Sequence, residues 1–228
     1  MLEVPYGAAE FFEVFRAYHA SFPLAPLVWT ALAATSLLLI YRNVAGSSRL
    51  ASAILAGLWM WAGIAYHILH FAEINPIARV FGVLFVMQGL FIAGLGVLNP
   101  RLAFTPSTSI AGLTGTVLIV YALLLYPLIG LLSGHGYPGG PTLGVPCPTT
   151  IFTFGLFLWS MGSLPRHLLV IPVLWAFLAA PAALSWGVIE DIMMPVAALL
   201  VIMFAVHERR SRRSQAMAAS RHPIRALR

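Results

Sequence analysis

Apolar residues run along this chain in long blocks, and polar or turn-forming residues mark the breaks between them. Seven blocks read as membrane-crossing helices: 22–41, 50–71, 78–98, 110–133, 148–164, 167–187 and 190–206. A hydrocarbon core of about 30 Å needs roughly 20 apolar residues, with a range of about 17–25. The fifth and seventh blocks lie at the short end. Breaks fall at Arg42 to Arg49, Glu73 to Pro76, Asn99 to Ser109, Gly134 to Cys147, Pro165-Arg166 and Trp186 to Asp191. Ahead of the blocks, Phe11, Phe15, Tyr18 and Phe22 repeat at the spacing of one helical face, while Glu10, Glu13 and Arg16 fall mostly elsewhere. Segment 8–20 is too short and too charged to span. It is expected to lie in the membrane interface or to pack on the outer end of the bundle. The pattern predicts an all-α integral membrane bundle of about seven transmembrane helices with an N-terminal interfacial amphipathic helix.

Composition supports lipid as the solvent. The chain is 60% hydrophobic and 9% charged, against about 45–50% and about 25% for soluble domains. Its 228 residues allow one domain. The net charge of +6 is not a nucleic-acid signal, because seven of the thirteen arginines fall in the last twenty residues. Segment 207–228 mixes Arg, Ser and Ala without an apolar period. It reads as a mobile cytoplasmic tail held near anionic lipid at about 1 kcal/mol per basic residue. Seven spans put the termini on opposite sides. Arg42, Arg49, Arg101, Arg166 and the tail arginines then lie in the cytoplasm, and only Arg16 and Arg79 lie outside. That asymmetry predicts an outer N-terminus and a cytoplasmic C-terminus. Glu3, Glu10 and Glu13 stand where a secretory signal would carry positive charge, so the first span is expected to stay in the mature protein.

Candidate chemistry gathers at the outer ends of the blocks. Residues at mid-membrane depth are almost all uncharged, with Gln88 the most polar, which argues against a carboxylate proton relay at the midplane. Gln88 is expected to bond a neighbouring helix. His67, His70 and Glu73 follow one another at three-residue steps, so a continuous α-helix would align two imidazoles and a carboxylate as ligands for a transition-metal ion. The stretch from Gly134 to Thr150 carries no charge, and is rich in Gly and Pro. Such backbone near membrane depth is tolerated where it packs in protein or lines a cavity, so the loop is expected to dip into the bundle mouth. Cys147 stands at the start of the fifth span, where Pro148 suits the first helical turn and the helix dipole would activate a thiol. Glu190 and Asp191 open the seventh span, where capping explains at least one acid. By topology alone His67, His70, Glu73, His135, Tyr137, Cys147, Thr150, Glu190 and Asp191 border one outer vestibule. The absence of lysine excludes a retinal Schiff base, and a single cysteine excludes an internal disulfide.

The run Gly144-Val145-Pro146-Cys147-Pro148-Thr149-Thr150-Ile151-Phe152-Thr153-Phe154-Gly155 resembles an uncharacterised bacterial family of multi-pass membrane proteins, a domain of unknown function. Glu10-Phe11-Phe12-Glu13-Val14-Phe15 and Ile74-Asn75-Pro76 leading into Phe81-Gly82-Val83-Leu84-Phe85 fit the same family. The resemblance implies a bacterial cytoplasmic (inner) membrane and brings no activity with it. The expected function is a small transporter or channel-like protein that takes a small solute or metal ion at the outer vestibule. The alternatives are a membrane-embedded, metal-dependent enzyme and a non-catalytic assembly or sensory subunit. Expected partners are the lipid bilayer and the solute or ion, with oligomerisation left open and no nucleic acid.

Overall fold

The computed structural model describes residues 6–160 and 164–221. Among these residues the chain is all-helical, with no strand beyond an isolated Leu143–Val145 bridge. Helix α1 (Ala8–Ser21) is followed at an 80° bend by α2 (Ala25–Tyr41). Helix α3 (Ser47–Trp61) continues as a π-helix over Ala62–Ile68 and ends in a 3₁₀ turn at Phe71–Glu73. Helix α4 (Ala78–Ala93) ends in a π-helical stretch, Gly94–Leu98. Helix α5 (Ile110–Val120) passes through a π-helical turn, Tyr121–Leu125, into α6 (Tyr126–Leu132). Then come α7 (Pro146–Trp159), α8 (Val170–Ser185) and α9 (Met193–Arg221), with 3₁₀ turns leading into α8 and α9.

Five continuous helical stretches are long and apolar enough to cross a membrane: Ser47–Glu73, Ala78–Leu98, Ile110–Leu132, Arg166–Ser185 and Ile189–Arg212. The bent α1–α2 pair makes a sixth if taken as one broken span. These stretches match the second, third, fourth, sixth and seventh sequence blocks closely. The fifth block differs. Its helix starts at Pro146 and has 14 residues, so it is only about 21 Å long at 1.5 Å per residue. Every residue of α7 is buried. Helices α3, α5, α8 and α9 pack around it. An exposed apolar belt lies on the outer helices instead, for example Leu27 on α2, Val83 on α4, Val117 on α5 and Leu199 on α9.

Small residues bring the helix backbones together. A Cβ added at Gly115 of α5 would lie 2.7 Å from the Gly155 carbonyl, and one added at Gly155 of α7 would lie 2.8 Å from the Gly115 carbonyl. The same reciprocal approach joins Gly63 to Gly82, between the end of α3 and α4. Where lipid is as apolar as the side chains, such close packing and interhelical hydrogen bonds supply the association energy. Trp59 Nε1 donates to Thr153 Oγ1 at 2.8 Å, Trp159 Nε1 to the Gly112 carbonyl at 3.1 Å, and Gln88 Nε2 to the Leu168 carbonyl at 2.9 Å. Gln88 therefore joins neighbouring elements, as its depth suggested.

Helix α1 buries Phe11, Val14, Phe15, Tyr18 and His19 on one face and exposes Glu10, Glu13 and Arg16 on the other. Its aromatic face packs onto Tyr66, Phe71 and Trp186, so α1 caps one end of the bundle. The C-terminal segment departs from the expected irregular tail: α9 runs unbroken to Arg221. Arg, Gln, Met and Ala are good helix formers, and no Gly or Pro interrupts the stretch before Pro223. Glu208 and Arg212 add an i,i+4 pair at 2.8 Å. Residues 222–228 of that tail lie outside the described residues.

Gly155→Ala is expected to lower the thermal unfolding midpoint in detergent, since overpacking of this kind costs about 1–3 kcal/mol. Gly94→Ala, at a helical position where an added Cβ meets nothing within 4 Å, is expected to keep or raise it, since Ala favours the helix over Gly by about 1 kcal/mol. Scanning fluorimetry of the two purified variants makes the comparison.

Candidate functional site

The capped end of the bundle is assembled from three chain segments. The first is α1. The second is the loop between α6 and α7, which does turn inward: Gly139 to Pro141 and Leu143 to Val145 are buried. The third is the 3₁₀ turn Ile189–Ile192. His19 ties the first two together, with Nδ1 2.7 Å from the Pro138 carbonyl and Nε2 3.0 Å from Thr142 Oγ1. Tyr137 lies against the His19 ring, at 4.8 Å between centroids. Gly144 has φ +104°, a conformation that favours glycine. Its N–H donates to Thr149 Oγ1 at 3.3 Å and closes the turn into α7. Thr150 is spent locally, donating to the Pro146 carbonyl at 2.8 Å.

Beneath this cap lies a cavity of ≈ 370 Å³. Phe11 and Phe15 of α1 form its roof, Tyr66 and Phe71 one wall, and Ala179, Ala182 and Ala183 of α8 the opposite wall. Three alanines in a row of turns leave the space that larger residues would fill. Ile77 and Leu178 also line the cavity and are 55% and 51% exposed, so its mouth faces the apolar belt between α4 and α8. Cys147 and Trp175 lie at the inner end.

Behind Cys147 is a buried polar cluster. Its thiol faces the Asp191 carboxyl and the Trp175 indole. Tyr126 donates to Asp191 Oδ1 at 2.5 Å. His135 Nε2 lies 2.9 Å from Glu190 Oε1, with the His135 side chain 10% exposed and Glu190 fully buried. Tyr121 donates to the Glu190 backbone carbonyl at 2.9 Å. Glu190 Oε2, Asp191 Oδ2 and Trp175 Nε1 have no well-formed hydrogen bond. Gly130 makes room for the pair, since a Cβ there would come 3.0 Å from Glu190 Oε1. The π-helical turn Tyr121–Leu125 precedes Pro127, whose ring nitrogen has no hydrogen to donate, and it sets Tyr121 and Tyr126 around the two acids.

Of the nine residues assigned to the vestibule, the structure brings His135, Cys147, Glu190 and Asp191 close together. The metal trio does not. The π-helix over Ala62–Ile68 and the break after it abolish the α-helical register that three-residue spacing assumes. His67 is buried among Phe71, Phe81, Phe85 and Trp175, and neither ring nitrogen has a partner. His70 turns beneath α1, with Nδ1 2.6 Å from the Ala65 carbonyl and Nε2 3.1 Å from Ser21 Oγ. Glu73 is exposed. Among the described residues no group of three His, Cys, Asp or Glu side chains is placed to hold a metal ion. The expected activation of Cys147 by the helix terminus is also revised. Cys147 is buried in the bundle rather than presented at an open helix terminus, and its thiol faces the Asp191 carboxyl.

Sequence reasoning missed His19, Tyr126, Trp175 and the aromatic roof. His19 was within reach, since it stands four residues after Phe15 on the buried face of α1. Tyr126 and Trp175 are embedded in apolar blocks and look like packing residues until the fold places them.

Burial lowers the pKa of His19, and its bond to the Pro138 carbonyl only partly opposes this. An undocked histidine has a pKa of about 6.5. The clamp is therefore fully stable above that value and weakens as pH falls through it toward the lower folded pKa. Amide exchange across 134–145, corrected for intrinsic rates, is expected to rise between about pH 7.5 and about pH 5.5. His19→Gln should remove that pH dependence.

No curated protein matches this chain, and no solved structure matches it. The model of the family of unknown function DUF6064 matches residues 8–216, and with that extent covered the chain belongs to this family.

Proposed function

We propose that this protein takes an apolar or amphipathic small molecule sideways from the lipid into the aromatic cavity and moves or presents it at the outer face of a bacterial inner membrane. In this reading α2 and the short α7 join the five long stretches to make seven crossings. The N-terminus is outside and the arginine-bearing end of α9 is in the cytoplasm, as the arginine asymmetry favours. The observation that carries the proposal is the cavity itself. It has a mostly apolar, aromatic lining, a mouth beside the exposed Ile77 and Leu178, and a few polar groups, from Cys147 and Trp175 and from Tyr6, Tyr66 and Asn75. Its ≈ 370 Å³ falls in the range of small-molecule sites, about 300–1,000 Å³. A hydrated ion would gain nothing from these walls. The solute expected from sequence is accordingly narrowed to a molecule that partitions into lipid.

A second reading is favoured by one contact. The Tyr126–Asp191 bond at 2.5 Å places a buried acid next to the cavity's polar end, as an enzyme acting on a lipid-phase substrate would need. Transport and catalysis share the same first step, which is capture in the cavity.

Saturable binding of a fluorescent long-chain alcohol to the protein in nanodiscs tests that step. Ala182→Phe, which fills the cavity from α8, is expected to weaken binding by at least about tenfold, or about 1.4 kcal/mol. Leu113→Phe on the exposed face of α5 should bind as the parent does. Equal affinity in both variants would remove the cavity from the proposal. Flux in proteoliposomes against turnover of the bound compound then separates carrier from enzyme.

A further inference from the structure

We infer that the molecule held in the cavity is an uncharged, lipid-soluble carbonyl compound whose oxygen accepts a hydrogen bond from the Tyr66 hydroxyl. This rests on the cavity reading and narrows it from a partition class to a functional group. Tyr66 is 3% exposed and lines the cavity. Its ring is held by near-parallel neighbours, Phe15 of α1 at 5.2 Å and Phe71 at 5.7 Å between centroids. Its hydroxyl makes no hydrogen bond among the described residues. Other buried tyrosines differ. Tyr18 accepts from Trp61 Nε1 at 2.7 Å, and Tyr121 and Tyr126 donate to Glu190 and Asp191. The side-chain polar atoms sealed inside protein without a partner belong to His67, Gln88, Trp175, Glu190 and Asp191 among the described residues. The Tyr66 hydroxyl is not one of them, so it opens into the cavity that its residue lines.

A packing role alone explains this hydroxyl poorly. The rings on either side of Tyr66 are phenylalanines, and a third would fill the stack without desolvating a polar group that has no partner. The rest of the lining decides what the partner is. No Asp, Glu, Lys, Arg or His lines the cavity among the described residues, so neither sign of charge finds a counterion on its walls. A carboxylate would in addition approach Glu190 and Asp191, buried behind Cys147. The ligand's polar group is therefore neutral. A phenol donates a hydrogen bond more readily than it accepts one, because its lone pair is shared with the ring. Of the other polar groups in the lining, Trp175 can only donate and Cys147 is a weak acceptor. Asn75 Nδ2 donates to the Tyr6 hydroxyl at 3.5 Å. An alcohol would bring a hydrogen of its own into a site poor in acceptors. A carbonyl oxygen brings none, and it takes the hydrogen that Tyr66 offers.

A matched pair of probes tests this. One is 2-acetyl-6-(dimethylamino)naphthalene, a fluorescent ketone. The other is its isopropenyl counterpart, in which a CH₂ group replaces the carbonyl oxygen and the shape is kept. Each is titrated by fluorescence into the full-length protein in nanodiscs, with empty nanodiscs as the partition blank. Tyr66→Phe is expected to weaken the ketone by about fivefold or more, as loss of one hydrogen bond would, and to leave the isopropenyl compound unchanged. The infrared carbonyl stretch of the bound ketone is expected at lower frequency in the parent than in Tyr66→Phe. Without probe, the thermal midpoint of Tyr66→Phe is expected to equal or exceed that of the parent, because no bond within the protein is lost. A lower midpoint would show the hydroxyl to be bonded inside the protein and would overturn the inference. So would a ketone affinity that Tyr66→Phe leaves unchanged, or an equal loss for both probes. In those cases Ala182→Phe would still weaken both probes, and the cavity reading would stand. If Ala182→Phe weakens neither, the cavity reading falls and this inference falls with it.

Discussion

Helix α7 is the member on which the bundle is organised, and its constraint is length. Fourteen residues reach about 21 Å, well short of a hydrocarbon core of about 30 Å. In the proposed reading, where α7 is one of the crossings, the missing depth is filled by backbone that is not helical, and such backbone is stable only where protein rather than lipid surrounds it. That requirement explains why α7 is buried on every side and why the loop before it turns inward beneath α1. The close approach of Gly115 and Gly155 then fixes α7 against α5 with no side chain between them. The cavity follows from the same geometry. A short central helix whose N-terminus stops below the end of the bundle leaves space above it, and α1 roofs that space.

Much of this was legible in the chain, because hydrophobic block length is a strong signal and five blocks match long helices nearly end to end. The amphipathic stripe of α1 was read correctly at Phe11, Phe15 and Tyr18. The uncharged Gly/Pro loop gave away its own burial by composition. The misreadings share a cause. His67, His70 and Glu73 were placed on one face by α-helical arithmetic, and the π-helix there changes the arithmetic. Cys147 was judged by its helix terminus, which is a local feature, whereas the fold buries it against Asp191, 44 positions away in the chain. The C-terminal segment lacked an apolar period, yet helix propensity alone carried α9 on to Arg221.

The π-helical stretches connect these points. Among the described residues three helices carry one, and each shifts the register of the residues after it. In α3 the shift directs Tyr66 to the cavity and His67 into the aromatic cage. Between α5 and α6 it brings Tyr121 and Tyr126 onto the two acids from one side, so that one carboxyl is met through its side chain and the other through its backbone. A regular α-helix of the same sequence would offset Tyr126 from its present direction. Local irregularity at these positions is therefore part of the site's construction.

The two faces of the site differ in what they admit. In the proposed reading the mouth, which lies among exposed apolar side chains, would admit a molecule that dissolves in hydrocarbon and offers a charge nothing to pair with. The polar cluster lies under the cap, where Glu190 and Asp191 are buried against His135, Tyr121 and Tyr126. Cys147 is where the two meet. The buried acids and the apolar cavity are thus built against each other at the capped end, each needing the fold of the other's elements, since Tyr66 and Cys147 belong to both.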